Sequence, residues 1–271
     1  MNYSVLMSVY HKEKPEFLKQ SMESIFNQTV PTNDFVLVCD GPLNDELDAV
    51  ISDMQHMFSE RLNVVRLAEN GGLGKALNEG IKHCKNELVA RMDSDDIAYP
   101  NRCEKQLRVF AERKEISICS GIVEEFTENP SIVDARRVPP ETNIEIIKFA
   151  KMRNPFNHPC IMYKKSAVAA VCSYQDFYLL EDYYLWLRML MAGYQGYNLQ
   201  EPLLHMRAGA DMYKRRGGWK YVKTQMKLFE FMKENGFISE LQYWKSCLLR
   251  SASSVAPNWV RKFVFERVLR K

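Results

Sequence analysis

The stretch Ala90-Arg91-Met92-Asp93-Ser94-Asp95-Asp96-Ile97-Ala98-Tyr99-Pro100 decides how this chain is read. Three carboxylates fall within four residues, directly after a short apolar run that ends at Ala90. Like charges this close repel, and a metal ion is the usual remedy. A second reading serves as well at this point: Asp95 or Asp96 caps a helix that opens near Pro100.

Upstream, short apolar segments alternate with helical patterns. Residues 4–10 read as a buried strand that His11-Lys12-Glu13-Lys14-Pro15 breaks. Phe17, Leu18, Met22, Ile25 and Phe26 then recur at helical spacing. Residues 34–39, 62–67 and 87–92 read as three more buried strands, with helices expected over 43–58 and 75–84. Such alternation is the pattern of a parallel α/β sheet, and ligands bind beyond the carboxyl ends of its strands. The chemically unusual residues all fall there. Tyr10 follows the first strand, Asp40 the second, Asn70-Gly71-Gly72 the third, and Asp93 and Asp95 the fourth. Their convergence on one rim is the main argument for a site.

Downstream, a helix is expected over 100–113 and a strand over 116–126, with a bend at Ser120-Gly121. Residues 127–140 read as a loop or edge hairpin, 141–152 as a helix, 160–163 as strand-like and 164–171 as a short helix. Glu181-Asp182 precede a helix rich in Leu, Trp and Met. Carboxylates there serve either as caps or as a general base presented at a cleft. Residues 194–206 read as an edge strand with turns, 208–218 as a flexible basic loop, and everything from Trp219 as helical. In that last part Trp244, Cys247, Leu248 and Leu249 are expected to face the core.

The whole chain bounds these readings. Its 271 residues make one large domain, or one domain plus an appendage. A net charge of +3 is too small to suggest nucleic acid. Seven cysteines without a CxxC pair fit reduced thiols better than disulfides or zinc. The N-terminus lacks the pattern of a signal peptide, and no apolar run approaches the roughly 20 residues that span a bilayer.

With the acidic cluster, the Glu-Asp pair and Asp40 in hand, the chain resembles glycosyltransferase family 2. Within it, the bacterial exopolysaccharide and lipopolysaccharide enzymes of the amylovoran-biosynthesis type are most similar. The resembling segments are SVLMSVYHKEKPEFLKQSMESIFNQT, VLVCDGPL, ENGGLGKALNEGI, ARMDSDDIAYPNRCEKQ, NPFNHPCIMYKKS and EDYYLWLRML. They cover most of residues 3–218.

The resemblance implies an α/β GT-A fold: a Rossmann-like, mostly parallel central sheet flanked by helices. The nucleotide-binding half would span about 1–98 and the acceptor half about 99–218, with a helical extension over 219–271. It implies an inverting transfer of one sugar from a nucleotide-sugar, expected to be a UDP-sugar, to a glycan acceptor on a lipid. Asp95 would be the main ligand of Mn2+ or Mg2+. Asp93 would bind ribose or share the metal, and Asp96 would support them. Asp40 would take the uracil N–H, Tyr10 would pack by the base, and Asn70, Gly72 and Lys75 would line the sugar-nucleotide loop. Asp182 would be the catalytic base with Glu181 beside it. His158 would touch the acceptor. His205, as a further metal ligand, and Arg207 would close over the diphosphate, joined by Arg215 and Arg216. The QxxRW motif of processive synthases is absent.

Two other classes compete. A nucleotidyltransferase would need a glycine-rich loop after the first strand, where His11-Lys12-Glu13-Lys14-Pro15 has none. A polysaccharide-binding scaffold would have lost the acidic motifs. Residues 257–271 mix five basic side chains with Trp, Phe, Val and Leu. That suits an anionic membrane surface or an amphipathic helix packed on the domain. The expected location is cytoplasmic, peripheral on the inner face of the cell membrane in the first case.

Overall fold

Strands that are apolar on both faces need cover on both sides, and the connecting helices supply it. The computed structural model describes residues 1–208 and 218–255. Strands β1 (Tyr3–Val9), β2 (Asp34–Cys39), β3 (Leu62–Arg66) and β4 (Leu88–Asp93) pair in parallel in the order β3-β2-β1-β4. Helices α1 (Pro15–Phe26), α2 (Asp45–Phe58) and α3 (Leu73–His83) connect them. Alternate strand residues point to opposite faces. Val5, Met7 and Leu37 therefore meet Leu18, Met22, Ile25 and Ile51 of α1 and α2. Leu6, Val36 and Val38 meet Leu77 and Ile81 of α3. Each such side chain contributes about 1.5–3 kcal/mol when fully buried.

Beyond β4 the sheet is mixed. Strand β8 (Met162–Lys164) runs antiparallel to β4 and to β6 (Ile116–Phe126). Strand β9 (Gln195–Arg207) lies parallel to β6, and the two-residue β5 (Ile97–Ala98) lies antiparallel to β9. Strand β7 (Ala135–Arg137) folds back on β6 as the expected hairpin. Helices α4 (Arg102–Glu112), α5 (Asn143–Ala150), α6 (Lys165–Ala170) and α7 (Glu181–Met191) complete the body. A pair of helices follows, α8 (Trp219–Glu234) and α9 (Glu240–Val255).

Three expectations change. Helix α4 starts at Arg102 with Asn101 before it, and β5 separates it from Asp96. Neither Asp95 nor Asp96 is a helix cap. Strand β9 is not an edge strand: it buries Leu203 and Leu204 between neighbours, and β5 takes the edge. In α9 only Cys247 of the four expected residues faces inward. With Tyr243, one turn earlier, it joins the cluster of Phe229 and Met232, whereas Trp244, Leu248 and Leu249 are 60%, 73% and 60% exposed. Arg215, Arg216 and residues 257–271 lie outside the described residues.

The strand ends are tightly set. Gly41, just past β2, has φ +84°, and a Cβ there would stand 2.6 Å from the backbone nitrogen of Asn70. Only glycine lets the loops after β2 and β3 approach this closely. Arg102, fully buried, donates to the carbonyl of Arg91 at 2.6 Å and ties α4 to β4 next to the acidic turn.

Candidate active site

Strand β4 delivers Asp93 as its last residue, opposite Ser8 of β1. The chain then turns through Ser94, Asp95 and Asp96 into β5. Asp93, Asp95 and Asp96 each offer an oxygen, and the three lie within 4.8 Å of one another. Helix α1 and the loop before it brace the turn. Ser21 donates its hydroxyl to the carbonyl of Asp93 at 2.7 Å, and Ser94 donates to Glu13 at 2.6 Å. Asp96 is 1% exposed; its Oδ1 accepts the backbone N–H of Arg207 at 2.8 Å, and its Oδ2 has no hydrogen-bond partner. Burial first, then the charges of Asp93 and Glu13, push the carboxyl of Asp95 up to about 7. Burial, then Asp95 and Asp93, push Asp96 well above the usual carboxylate range. An all-oxygen donor set, an orphaned buried oxygen and mutual repulsion fit a hard divalent cation such as Mg2+ or Mn2+.

Two guanidinium groups stand against the cluster. Arg91 pairs with Asp93 from within β4. Arg207 donates through Nε to the carbonyl of Asp95 at 3.1 Å and through Nη2 to Gln20 at 3.1 Å. Its Cζ lies 3.7 Å from the ring centre of Phe17 and 4.7 Å from that of Phe126. Arg207 thus helps to build the turn.

On the neighbouring strand ends, Asp40 is 4% exposed and accepts from the backbone N–H groups of Gly71 at 2.7 Å and Gly72 at 3.0 Å. Asn70 donates its side-chain amide to the Asp40 carbonyl at 3.0 Å. Gly72, with φ +87°, is the residue from which α3 starts. Asp40 therefore fixes the turn that opens α3, a job its sequence position did not announce. Tyr10 is exposed at the end of β1, edge-on to His11. Lys75 is exposed in the first turn of α3.

The third set of groups comes from α7. Leu180 precedes the helix without a side-chain cap, and Glu181 and Asp182 occupy its first turn. Asn154 donates its amide to Asp182 at 2.7 Å. Glu181 borders α3: a Cβ on Gly74 would sit 3.8 Å from Cβ of Glu181 and of Tyr174. Burial, then Asp182, push Glu181 up to about 7. The segment leading to the pair is held in uncommon geometry. Cys172, Ser173 and Leu179 have φ of 62°, 53° and 59°. Non-glycine residues there cost about 1–3 kcal/mol each and persist only where their surroundings impose them. Arg188 donates to the carbonyls of Val171 and Ser173. Asn78 of α3 clamps Tyr174 at both its N–H (2.9 Å) and its carbonyl (2.6 Å).

The two histidines expected at the site are held by protein partners. His158 is buried, bonds through Nε2 to the hydroxyl of Tyr174 at 2.9 Å and packs edge-on to Trp186. Burial and the Arg91 charge hold its pKa well below the usual histidine value. His205 stacks on Tyr99, and its Nδ1 faces Glu124 at 3.7 Å. Among the described residues the group that could hold a metal ion is the three aspartates, without His205. Sequence reasoning missed Arg91, Asn154 and the Asn78–Tyr174 clamp. For Arg91 a signal existed: a charge inside an apolar strand, two residues before Asp93 and so on the same face.

Comparison with known proteins agrees with this geometry. The family model described as glycosyl transferase family 2 matches residues 4–181. The amylovoran biosynthesis glycosyltransferase AmsE of Erwinia amylovora is 40% identical over 268 residues, covering 98% of each chain. An Escherichia coli UDP-Gal:alpha-D-GlcNAc-diphosphoundecaprenol beta-1,3-galactosyltransferase is 36% identical over 99% of this chain and 97% of its own. Among solved structures, a mannosyltransferase of Pyrobaculum calidifontis in complex with GDP-Man and Mn2+ superposes with a TM-score of 0.67 at 13% identity. It matches over 95% of this chain and 70% of that one. At that identity the likeness speaks for the fold alone, which is GT-A.

The pair on α7 makes a pH prediction. Glu181 titrates near 7 in the folded protein, above the ordinary 4.5, so the native state keeps a proton that the unfolded chain releases. Between those values its contribution to stability falls as pH rises. Thermal midpoints of the metal-free protein should therefore drop more steeply from about pH 5 to about pH 8 in the wild type than in Glu181→Gln. Parallel curves would show that Glu181 titrates normally.

Proposed function

Because the chain belongs to glycosyl transferase family 2, we propose that it adds one sugar from a UDP-sugar to a growing surface polysaccharide carried on a lipid, with inversion at the sugar carbon. One observation carries the reading. A half-buried carboxylate cluster, with an orphaned oxygen on the buried Asp96, lies at the carboxyl ends of the parallel strands that also carry Asp40, while α7 supplies a second carboxylate pair. The relative whose name specifies UDP-Gal and a diphosphoundecaprenol-linked sugar supports the donor and the lipid.

Residues up to about 98 would hold the nucleotide, and those from about 99 to 218 the acceptor. Asp40 keeps lone pairs beyond the two that hold Gly71 and Gly72, so its carboxylate can also accept a uracil N–H. Tyr10 offers a ring to the base. Asn70, Gly72 and Lys75 line the entrance to α3 beside the sugar. Asp95 and Asp93 would hold Mn2+ or Mg2+, with Asp96 behind them. When bound, that ion neutralises charge on the departing diphosphate as a Lewis acid.

A sugar hydroxyl is a weak nucleophile at neutral pH and needs a positioned base. Asp182 is the base, held in orientation by Asn154. Glu181, with its raised pKa, retains a proton for much of its time near neutrality, so the pair divides into one acid and one base. The proton leaves the acceptor hydroxyl for Asp182 as its oxygen attacks the sugar carbon from the side opposite the nucleotide. A single displacement of this kind inverts the configuration.

A membrane-borne acceptor also fits the C-terminal helices. Residues 219–271 hold eleven Lys and Arg against four Asp and Glu, a balance of +7, whereas residues 1–218 hold 26 against 30, a balance of −4. Helix α9 exposes Leu241, Trp244 and Leu248 along one stripe, with Lys245 among them. Residues 257–271 add five basic side chains against one acidic, so an anionic lipid surface is the occupant that suits both that charge and the apolar stripe. No helix among the described residues is long and apolar enough to cross a membrane.

Two experiments test this reading. A panel of nucleotide-sugars with Mn2+ should reveal turnover of a UDP-sugar. With that donor, Asp182→Asn should lower transfer about 10²–10⁴-fold while leaving UDP affinity near normal. Loss of UDP binding would instead put Asp182 in the nucleotide site, and no turnover of any donor would sink the activity. In co-sedimentation, the wild type should pellet with phosphatidylglycerol vesicles and not with phosphatidylcholine alone. Trp244→Glu combined with Leu248→Glu should pellet far less. Equal sedimentation of both proteins would remove the stripe from the account.

A further inference from the structure

Arg91 is buried to 1% exposure inside a strand whose other members are apolar up to Asp93. Strand alternation sends it to the face covered by α3 and α7, the same face as Asp93. Its Nη2 holds Asp93, while Nε and Nη1 have no hydrogen-bond partner in the protein. A guanidinium buried so incompletely paired costs stability, and an apolar side chain of similar volume would ordinarily serve a core better. Its surroundings explain its presence. The Arg91 charge acts on Asp93, Asp95 and Asp96 on the metal side, and on Tyr174 and Glu181 on the α7 side. Arg207, the other cation at the cluster, lies on the opposite side of the turn, against α1.

We infer that Arg91 is a positioning residue: a resident counter-charge that holds the carboxylates of the Asp93–Asp96 turn in place before donor and metal arrive. The inference rests on the metal-dependent reading above. Its consequence is that Arg91 and the bound divalent ion act on the same carboxylates as partly interchangeable positive charges. Without Arg91 the aspartates repel one another with less restraint, and the fold comes to lean on the ion. A residue that merely filled the core would not create that dependence.

The test uses the full chain and MnCl2 alone, without donor or acceptor. Thermal midpoints are measured for wild type, Arg91→Met and Arg91→Lys, each without and with saturating Mn2+. Arg91→Met should melt lower than wild type in chelator and should gain roughly twice the wild-type upshift or more from Mn2+, because the ion binds a native state that now lacks its own counter-charge. Arg91→Lys keeps the charge without the planar fork. Its Mn2+ upshift should return towards the wild-type value. If Arg91→Met does not fold, Arg91→Gln makes the same comparison. Equal Mn2+ upshifts in wild type and the charge-removing variant, or a Lys variant no different from it, would overturn the proposal. A wild type that shows no upshift with Mn2+ would overturn the metal reading itself and this inference with it.

Discussion

Three carboxylates at the end of β4 can share one turn only if positive charge stands near them. Much of the surrounding structure answers that constraint. Arg91 approaches from within the strand, and Arg207 is brought in from the far end of β9, 111 residues beyond Asp96 along the chain. Glu13 and Ser21 lock the turn from the side of α1. Even so, burial first and the neighbouring carboxylates second push Asp95 up to about 7 and Asp96 well above the usual carboxylate range. A divalent cation would complete the electrostatics, and on the proposed function the same cation would assist departure of a nucleoside diphosphate.

The Glu181-Asp182 side follows a different principle, geometry fixed in advance. Three non-glycine residues with positive φ lead into Glu181 and Asp182. Arg188, Asn78 and Tyr174 hold that segment against α6, α7 and α3. Strain of this kind is retained where a side chain must be aimed. Because Asn78 belongs to the helix that starts from Gly72, the Asp40 rim and the Glu181-Asp182 pair are carried on one framework. Asp40 sets the start of α3, and α3 sets the approach to α7. On the proposed reading, coupling the two sets of groups through a single helix would keep an attacking hydroxyl and a sugar carbon in line.

Much of this was legible in the residues, and the parts that were not share a cause. The four parallel strands and their helices follow from short apolar runs alternating with helical periodicity, a local signal. The acidic cluster, Asp40 and the Glu-Asp pair were visible as polar residues at strand and helix ends. What escaped is long-range pairing. Nothing near His158 says that it will face Tyr174 in the core, and nothing near His205 says that Tyr99 and Glu124 will claim it. Nothing near β9 says that β5, only two residues long and about a hundred residues earlier, will pair with it and take the edge. Leu248 and Leu249 were assigned to the core by composition, but Tyr243 and Cys247 occupy the face that meets α8. Single-residue apolarity does not tell which face of an amphipathic helix is covered.

The central claim is that the Asp93–Asp96 turn holds a divalent ion at the carboxyl ends of the parallel strands. The most direct measurement is anomalous diffraction at the manganese edge from crystals grown with MnCl2 and UDP. The account predicts one dominant peak about 2 Å from a carboxylate oxygen of Asp95, with the UDP diphosphate on its open side. A manganese peak elsewhere, or UDP bound with no ion at the turn, would contradict it.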